Sequence, residues 1–313
     1  MNIQLLPKKE RHRLFGSVSP GTKIKPTQKH EMVDIQSQKN HFLFSIDQVG
    51  ISNVKLPVNV NSLLSPKQQT TIATFTLTSS LPHNQKGTNM SRFMEQLEQY
   101  RHKGFTLNFS TLHDFARELS QRLEQRDTKI EVNFPWFYER TGPSSELTGL
   151  NHAHAKMVTQ YHQESGFTNE VALTCGITTL CPCSKEISEY GAHNQRGYVT
   201  MKVQLSPRYQ DETDWKKVLL HAAESNASAC IHPVLKRTDE KIVTEQAYEN
   251  PRFVEDMVRL VAADLYEIEW IESFTIECRN EESIHLHDAI ASITVQKYDK
   301  RIRGLEKIPS FHL

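Results

Sequence analysis

The sequence predicts an α+β fold made of two tandem β-β-α-α-β-β units, in which helices pack on antiparallel sheets. Alternating apolar strands and helix-spaced apolar residues occur twice in the same order along the 313 residues. The opening strands of the two halves also resemble each other, at residues 49–54 and 175–180. The expected organisation is a polar, mobile N-terminal arm (1–40), a first unit (41–165) and a second unit (166–313). Because such sheets leave edge strands, we expect association into a closed assembly.

The first unit opens with a strand pattern over residues 42–58, interrupted at Gly50, and continues with a second strand that alternates around Phe75. Two helices are predicted next from apolar residues at helical spacing, which are Phe93, Met94, Leu97 and Tyr100 in one and Leu112, Phe115, Leu119 and Leu123 in the other. Two further strands, at 130–134 and 154–162, complete the unit.

The second unit begins with strands at residues 171–180 and 198–205, followed by a helix that carries Trp215. Asn250 and Pro251 predict the start of another helix, since Asn is a favoured N-cap and Pro is favoured at the first helical position. The charged residues between these two helices are predicted to form a loop. Two alternating strands follow, and in this element order the first and last strands of the unit can be neighbours.

Composition limits the possible functions. Lys and Arg number 37, as do Asp and Glu, so the formal net charge is zero, which argues against nucleic acid as the main partner. No run of about 18 apolar residues predicts a membrane span, and the N-terminus lacks the apolar region of a signal peptide. The five cysteines are an odd number, and Cys181 and Cys183 are too close for an ordinary disulfide. We therefore expect a reduced, cytoplasmic protein.

Reactive side chains are concentrated on the connection between two predicted strands, at residues 180–196. Cys181 and His193 lie twelve residues apart there, and Cys183 adds a second thiol. One thiolate and one imidazole suit zinc or another borderline divalent ion, for which a catalytic site needs a third protein ligand. The simpler alternative is a buried structural thiol beside an unrelated surface histidine. No second Cys or His pair has the spacing of a closed zinc finger.

Other candidate groups are dispersed along the chain. Glu240 lies in the charged loop, where a surface salt bridge is the simpler interpretation, and Glu255 lies in the second turn of the helix predicted after Asn250. His285 and His287 are predicted to share one face at the start of the last strand. Each could be a metal ligand, a proton carrier near neutral pH or a half-buried structural side chain. Residues 86–92 lead into a helix with basic and hydroxyl groups, which is a possible phosphate cradle or an ordinary helix cap.

The segments Cys-Pro-Cys-Ser-Lys-Glu-Ile-Ser at 181–188 and Tyr-Gly-Ala-His-Asn-Gln-Arg at 190–196 closely resemble the signature of type IB GTP cyclohydrolase I. This is the metal-dependent bacterial and archaeal enzyme that opens folate biosynthesis. The agreement continues at residues 235–241, 249–256 and 282–289, and at Met-Ser-Arg-Phe in 90–93, although Asn89 stands where members often have His. The resemblance covers roughly residues 42–300.

The resemblance implies a tunnelling fold of two units per chain, a homotetramer, and conversion of GTP and water to 7,8-dihydroneopterin triphosphate and formate. It implies one divalent ion per site, Zn, Mn or Fe, with ligands Cys181, His193 and Glu240. Glu255 would anchor the guanine edge, His285 would act as an acid/base or auxiliary metal group, and Cys183 would lie near the metal as a further catalytic thiol. The implied substrate contacts, mostly cations for the triphosphate, are Lys185, Gln195, Arg196, Lys236 and Arg92.

Two other functions compete with this one. A nitrile reductase of the same fold would use a Cys nucleophile and NADPH, but the Cys181–His193 spacing favours a metal, and no glycine-rich dinucleotide motif is present. A non-catalytic, metal-stabilised oligomeric binding module would bury its metal and unfold when the metal is removed.

Overall fold

The computed structural model describes residues 5–15, 26–32 and 34–297 of the chain. The strands are β1 (Ile46–Asn61), β2 (Gln68–Leu81), β3 (Asp127–Thr141), β4 (Thr148–His162), β5 (Gly166–Leu180), β6 (Asn194–Leu205), β7 (Ile271–Asn280) and β8 (Ala289–Gln296). The helices are α1 (Lys8–Phe15), α2 (Met90–Lys103), α3 (Phe109–Leu123), α4 (Pro182–Ile187), α5 (Trp215–Asn226), α6 (Arg237–Glu249) and α7 (Val254–Glu267). The predicted arm lies partly outside the described residues, as does the end of the chain.

All eight strands form one antiparallel sheet whose spatial order is the chain order, β1 to β8. Helices α2 and α3 connect β2 to β3, and α5 to α7 connect β6 to β7. Among the strand residues that face the helices, Phe75, Ile130 and Ile276 are fully buried, as their predicted alternation requires. Apolar side chains of both layers form one continuous core. None of the helices in the described ranges is long and apolar enough to cross a membrane.

The sheet continues across the predicted boundary between the units. The C-terminal part of β4 pairs with β5, from His154 opposite Thr174 to His162 opposite Gly166. Arg140 of β3 forms an ion pair with the buried Glu224 of α5, so a charged contact also joins the two halves. Within the described chain, β1 and β8 each pair with one neighbouring strand and form the two edges of the sheet, although Asn59 of β1 also forms an isolated bridge with Thr106.

The interruption predicted at Gly50 is a local irregularity inside a continuous strand. The β1–β2 register shifts on both sides of it, and a Cβ at Gly50 would lie 1.9 Å from the carbonyl oxygen of Leu77. Only glycine permits this approach of the two backbones.

The prediction of a loop around Asp239 and Glu240 is wrong, because these residues begin α6. Asn250 caps the C-terminal end of that helix and does not begin α7, whose N-cap is Phe253. Glu255 accordingly lies in the first turn of α7 instead of the second. The periodicity misses α6 because only Asp239 and Ala247 of its residues are buried, so no apolar stripe marks it.

The end of the second unit also differs from the prediction. β8 begins at Ala289, and residues 283–287 form bends, so His285 and His287 do not lie on a strand. β5 pairs with β4 and β6, whereas β8 pairs with β7. The first and last strands of this half are therefore not adjacent in the sheet of a single chain.

Candidate active site

The Cys181–His193 connection is closed by hydrogen bonds between its two ends. The main-chain N–H of Cys181 donates to the carbonyl oxygen of His193 over 3.0 Å. Ser184 strengthens this closure, since its hydroxyl donates to the Cys181 carbonyl and accepts from the His193 N–H, both at 3.2 Å. The structure therefore brings together the backbones of the two predicted metal ligands.

Cys181 is the N-cap of the short helix α4, which has Pro182 at its first position. The main-chain N–H of Ser184 points at the Cys181 Sγ at 3.5 Å, and the thiol is half-buried. This N–H orients the thiol at the start of the helix, on the side of the connection where His193 lies. Cys183, by contrast, is exposed.

The imidazole of His193 is held through Nδ1. The amide oxygen Oε1 of Gln195 lies 3.1 Å from Nδ1, and the hydroxyl of Ser283 lies 3.4 Å from the same atom. Gln195 is itself buried and donates through Nε2 to the hydroxyl of Thr179 at 3.0 Å. Gln195, which the resemblance assigns to substrate binding, contacts the predicted ligand His193 in the structure.

The β7–β8 connection lies beside the Cys181–His193 connection because β6 and β7 are paired, with Gly197 opposite Asn280. The Glu281 N–H donates to the Arg196 carbonyl over 2.9 Å, and Ser283 reaches His193. The route expected from the sequence, pairing of the first and last strands, is not used. His285 itself is exposed, and its ring stacks on that of His287 with centroids 4.9 Å apart.

Glu255 is exposed in the first turn of α7. The segment before this helix is tied to the end of β5, because the N–H of Arg252 donates to the Leu180 carbonyl over 3.0 Å. The guanidinium of Arg252 also donates through Nε to the Asn226 carbonyl at 3.0 Å. These bonds fix the start of α7 next to the residue that precedes Cys181.

Glu240 follows a buried carboxylate, that of Asp239, which is anchored to the β3–β4 turn. Oδ1 of Asp239 accepts from the N–H groups of Ser144 at 2.7 Å and Ser145 at 2.9 Å, and Oδ2 accepts from the Lys236 N–H at 2.8 Å. The Ser145 hydroxyl and these N–H groups hold the pKa of Asp239 well below its ordinary value. The β3–β4 turn thereby fixes the start of α6, while the side chain of Glu240 is exposed.

The described ranges contain no cluster of three or more His, Cys, Asp or Glu side chains arranged to hold a metal ion. Cys181 and His193 are joined as described above, but Glu240 does not complete a three-residue set with them in this single chain. The predicted ligand set is therefore brought together in part.

The predicted cationic contacts are dispersed. Lys185 donates to the Tyr248 carbonyl at 2.5 Å, with its ammonium 4.4 Å from the centroid of that ring, and Arg196 and Lys236 are exposed. Arg92 lies in the first half, where it donates to the Arg122 carbonyl at 2.8 Å. In the part of the chain that the structure describes, no hydrogen bond or ion pair joins Arg92 to residues 180–196.

The sequence analysis does not identify Thr179 as part of the site, although the sequence contains a signal that could have indicated it. Ile177 and Thr179 share the core face of β5, and a hydroxyl on that face needs a hydrogen-bond partner. Ser184 and Ser283 carry no comparable signal, because their roles depend on how two connections meet.

The fold resembles that of a known enzyme. The crystal structure of uricase from Arthrobacter globiformis superposes with a TM-score of 0.50 and 10% sequence identity, covering 84% of this chain and 96% of that one. This similarity shows a shared α+β architecture of the tunnelling-fold type and nothing about activity.

Sequence comparison identifies the family within this class. The family model for type I GTP cyclohydrolase folE2 matches residues 32–291. GTP cyclohydrolase FolE2 of Oceanobacillus iheyensis is 61% identical over 298 residues, covering 95% of this chain and 98% of that protein. FolE2 of Bacillus subtilis is 53% identical over 294 residues, covering 94% and 97%. The chain belongs to the type I GTP cyclohydrolase FolE2 family, as the resemblance in its sequence predicted.

Proposed function

We propose that this protein catalyses the reaction of GTP with water to give 7,8-dihydroneopterin triphosphate and formate, the first step of tetrahydrofolate biosynthesis. Membership of the FolE2 family over almost the whole chain is the observation that carries the proposal. The closed Cys181–His193 connection supports it, because it provides a thiol and an imidazole on one rigid support. We further propose that the enzyme acts in the cytoplasm.

We propose one divalent ion per site, with Cys181, His193 and Glu240 as its ligands. The donors fit such an ion, since the Cys181 thiol receives an N–H and His193 is held through Nδ1. The Glu240 side chain is exposed, so it can change rotamer without disturbing the core. Zn, Mn and Fe all suit this donor set. A divalent ion at these residues would activate water for attack on C8 of the purine.

The chain's own side chains would bind the base and move the protons. Glu255 would accept hydrogen bonds from N1–H and the exocyclic amine of guanine, and the Arg252–Leu180 bond would hold it near Cys181. His285 would carry protons to and from the ring nitrogens and ribose oxygens, for which its exposed position leaves room. Cys183 would lie close to the reacting centre as a second thiol.

The triphosphate would be bound by Lys185, Arg196 and Lys236. Lys185 would exchange its bond to the Tyr248 carbonyl for a phosphate oxygen, and the other two cations are already exposed. Arg92, which lies in the first half, would serve the site of a neighbouring subunit.

We propose that the chain consists of two tandem tunnelling-fold units, 41–165 and 166–313, and forms a homotetramer. The element orders of the two halves support the repeat, since each has two strands, a helical connection and two strands. The edge strands β1 and β8, each paired with one neighbouring strand in the described chain, support assembly through the sheet.

The decisive experiment measures formate released from GTP by metal-depleted protein, with Zn²⁺, Mn²⁺ or Fe²⁺ added back separately. We expect little release before addition and restored release afterwards, with Cys181→Ala, which lacks a proposed metal ligand, as the inactive control. Absence of formate with every metal would refute the proposed activity. Unfolding of the protein upon chelation would indicate a metal-stabilised binding module instead, because a closed structural site couples metal binding to folding.

A further inference from the structure

We propose that Gln195 and Thr179 are positioning residues that fix the tautomer and orientation of His193. They hold the proton on Nδ1, so that Nε2 presents its lone pair to a metal ion. The inference rests on the proposed role of His193 as a ligand. It gives Gln195 a role different from the substrate contact that the resemblance implies.

The geometry forms a chain of three side chains. Thr179 and Gln195 are opposite residues of the paired strands β5 and β6, so their backbones are fixed by the sheet. The Thr179 hydroxyl is 3.0 Å from Nε2 of Gln195, and Oε1 of the same amide is 3.1 Å from Nδ1 of His193. Thr179 is fully buried and Gln195 is 8% exposed, so water does not readily replace either partner.

The chemistry of the amide determines which nitrogen of His193 carries the proton. Oε1 of Gln195 only accepts hydrogen bonds, so Nδ1 must be the donor, and in a neutral imidazole Nε2 is then the acceptor. If the amide were reversed, its NH₂ group would face Nδ1 and the imidazole proton would move to Nε2. That tautomer has no lone pair at Nε2 for a metal ion. In the structure the NH₂ group donates to the Thr179 hydroxyl, and this arrangement leaves Oε1 facing Nδ1, which favours the tautomer that can bind metal.

Because Thr179 and Gln195 lie on paired strands, they can hold the His193 ring in one orientation as well as fill space. A ligand histidine held through its second nitrogen keeps its ring orientation when the metal is absent, which lowers the ordering cost of metal binding. The Ser283 hydroxyl, 3.4 Å from Nδ1, approaches from the β7–β8 connection and adds a weaker contact.

The test compares Zn²⁺ affinity, measured by competition with a chelator, and the melting temperature of the metal-free protein. Gln195→Leu removes the acceptor and should raise the Zn²⁺ Kd about 10–100-fold, as loss of such a supporting partner typically does. Gln195→Glu keeps an acceptor for Nδ1–H and should retain wild-type affinity. Thr179→Val should weaken binding in the same direction as Gln195→Leu while it preserves side-chain volume.

Gln96→Leu is the matched control, because Gln96 is also a buried amide, 1% exposed, and donates to Glu118 at 2.7 Å on the other half of the chain. It should lower the melting temperature without changing Zn²⁺ affinity. The double variant Gln195→Leu/His193→Ala tests the mechanism: if Gln195 acts through His193, its substitution should have no further effect on affinity once His193 is gone.

A Zn²⁺ Kd within threefold of wild type in folded Gln195→Leu would overturn the inference, as would additive losses in the double variant. The outcome is separable from the proposed activity. If wild-type protein binds Zn²⁺ with the predicted variant pattern but releases no formate, the positioning role stands and the proposed function fails. If wild type releases formate and Gln195→Leu binds Zn²⁺ normally, only the positioning role fails.

Discussion

Lys216 and Asp214 form a buried ion pair, with Nζ 2.7 Å from Oδ1 and side chains that are 8% and 5% exposed. Asp214 also accepts the Leu63 N–H at 2.7 Å and the Ser62 hydroxyl at 2.8 Å, both from the β1–β2 connection. The ammonium of Lys216 lies 5.3 Å from the centroid of the Trp215 ring. The pair thus joins the start of α5 to the first half of the chain.

Substitution Asp214→Asn should destabilise the protein by about 3–5 kcal/mol, because it leaves the Lys216 charge buried without a partner. Chemical denaturation at pH 7 would measure the loss. The matched control is Asp114→Asn on α3, whose ion pair with Arg117 is exposed and should contribute less than about 1 kcal/mol. Equal losses in the two variants would contradict the prediction.

The same carboxylate should make stability depend on pH. Burial by itself raises the pKa of Asp214. The charge of Lys216 and the hydrogen bonds lower this pKa by more than burial raises it, so the folded-state pKa is below the ordinary value. Its contribution is complete above the unfolded pKa of about 4 and is lost as pH falls through the folded pKa. Between pH 5 and pH 3, we expect the stability of wild type to fall more steeply than that of Asp214→Asn. Parallel curves for the two proteins would show that Asp214 does not contribute.

The two thiols of the 180–196 connection should differ in their effect on metal binding. Cys181→Ala and His193→Ala should each lose bound metal and turnover together, because the remaining protein ligands hold a divalent ion poorly. Cys183→Ala should retain metal, since that thiol is exposed and does not receive the Ser184 N–H. Metal content of the purified variants is the measurement. Full occupancy in Cys181→Ala, or complete loss in Cys183→Ala, would reverse the assignment.

Glu255→Gln should weaken GTP binding at least about tenfold while metal is retained. The charged carboxylate can accept two hydrogen bonds from guanine, each contributing on the order of 1.5–3 kcal/mol, and the amide replaces one acceptor by a donor. Equilibrium binding of GTP is the measurement, with the exposed Glu267→Gln at the other end of α7 as the control. Wild type should reject ATP, because adenine presents an acceptor at N1. Competition by ATP at concentrations similar to GTP would exclude Glu255 as the group that reads the base.

His285→Ala should retain GTP binding and most of the metal while kcat falls by about 10²–10⁴-fold, the usual effect of removing a general acid or base. The control is His287→Ala, which removes the neighbouring exposed ring in the stacked pair. Metal content, GTP affinity and single-turnover formate release would be measured on one preparation. A loss of metal affinity without GTP would make His285 a ligand, and near-normal release would remove it from the catalytic groups.

The elements predicted correctly are those whose patterns depend on neighbours in sequence. Phe75 and Ile276 belong to alternating strands, and Leu112 and Leu119 belong to a helix with a continuous apolar face, so burial of each follows from local periodicity. Helix α6 is not predicted from the sequence, because most of its residues are not buried in the core and no apolar stripe marks it. Apolar periodicity indicates which residues of a segment are buried, and only Asp239 and Ala247 of α6 are buried.

The sequence by itself determined the family and the Cys181–His193 segment, because a long motif of reactive residues identifies chemistry without coordinates. The tertiary structure alone decided what each residue contacts. Pairing of β6 with β7 brings Ser283 to His193, and pairing of β5 with β6 places Thr179 against Gln195. Asp239 is buried because the β3–β4 turn, some 95 positions away, supplies its N–H partners. Such contacts join residues distant in sequence, and a hydrogen bond depends on distances of a few tenths of an ångström that only the packed sheet and helices fix.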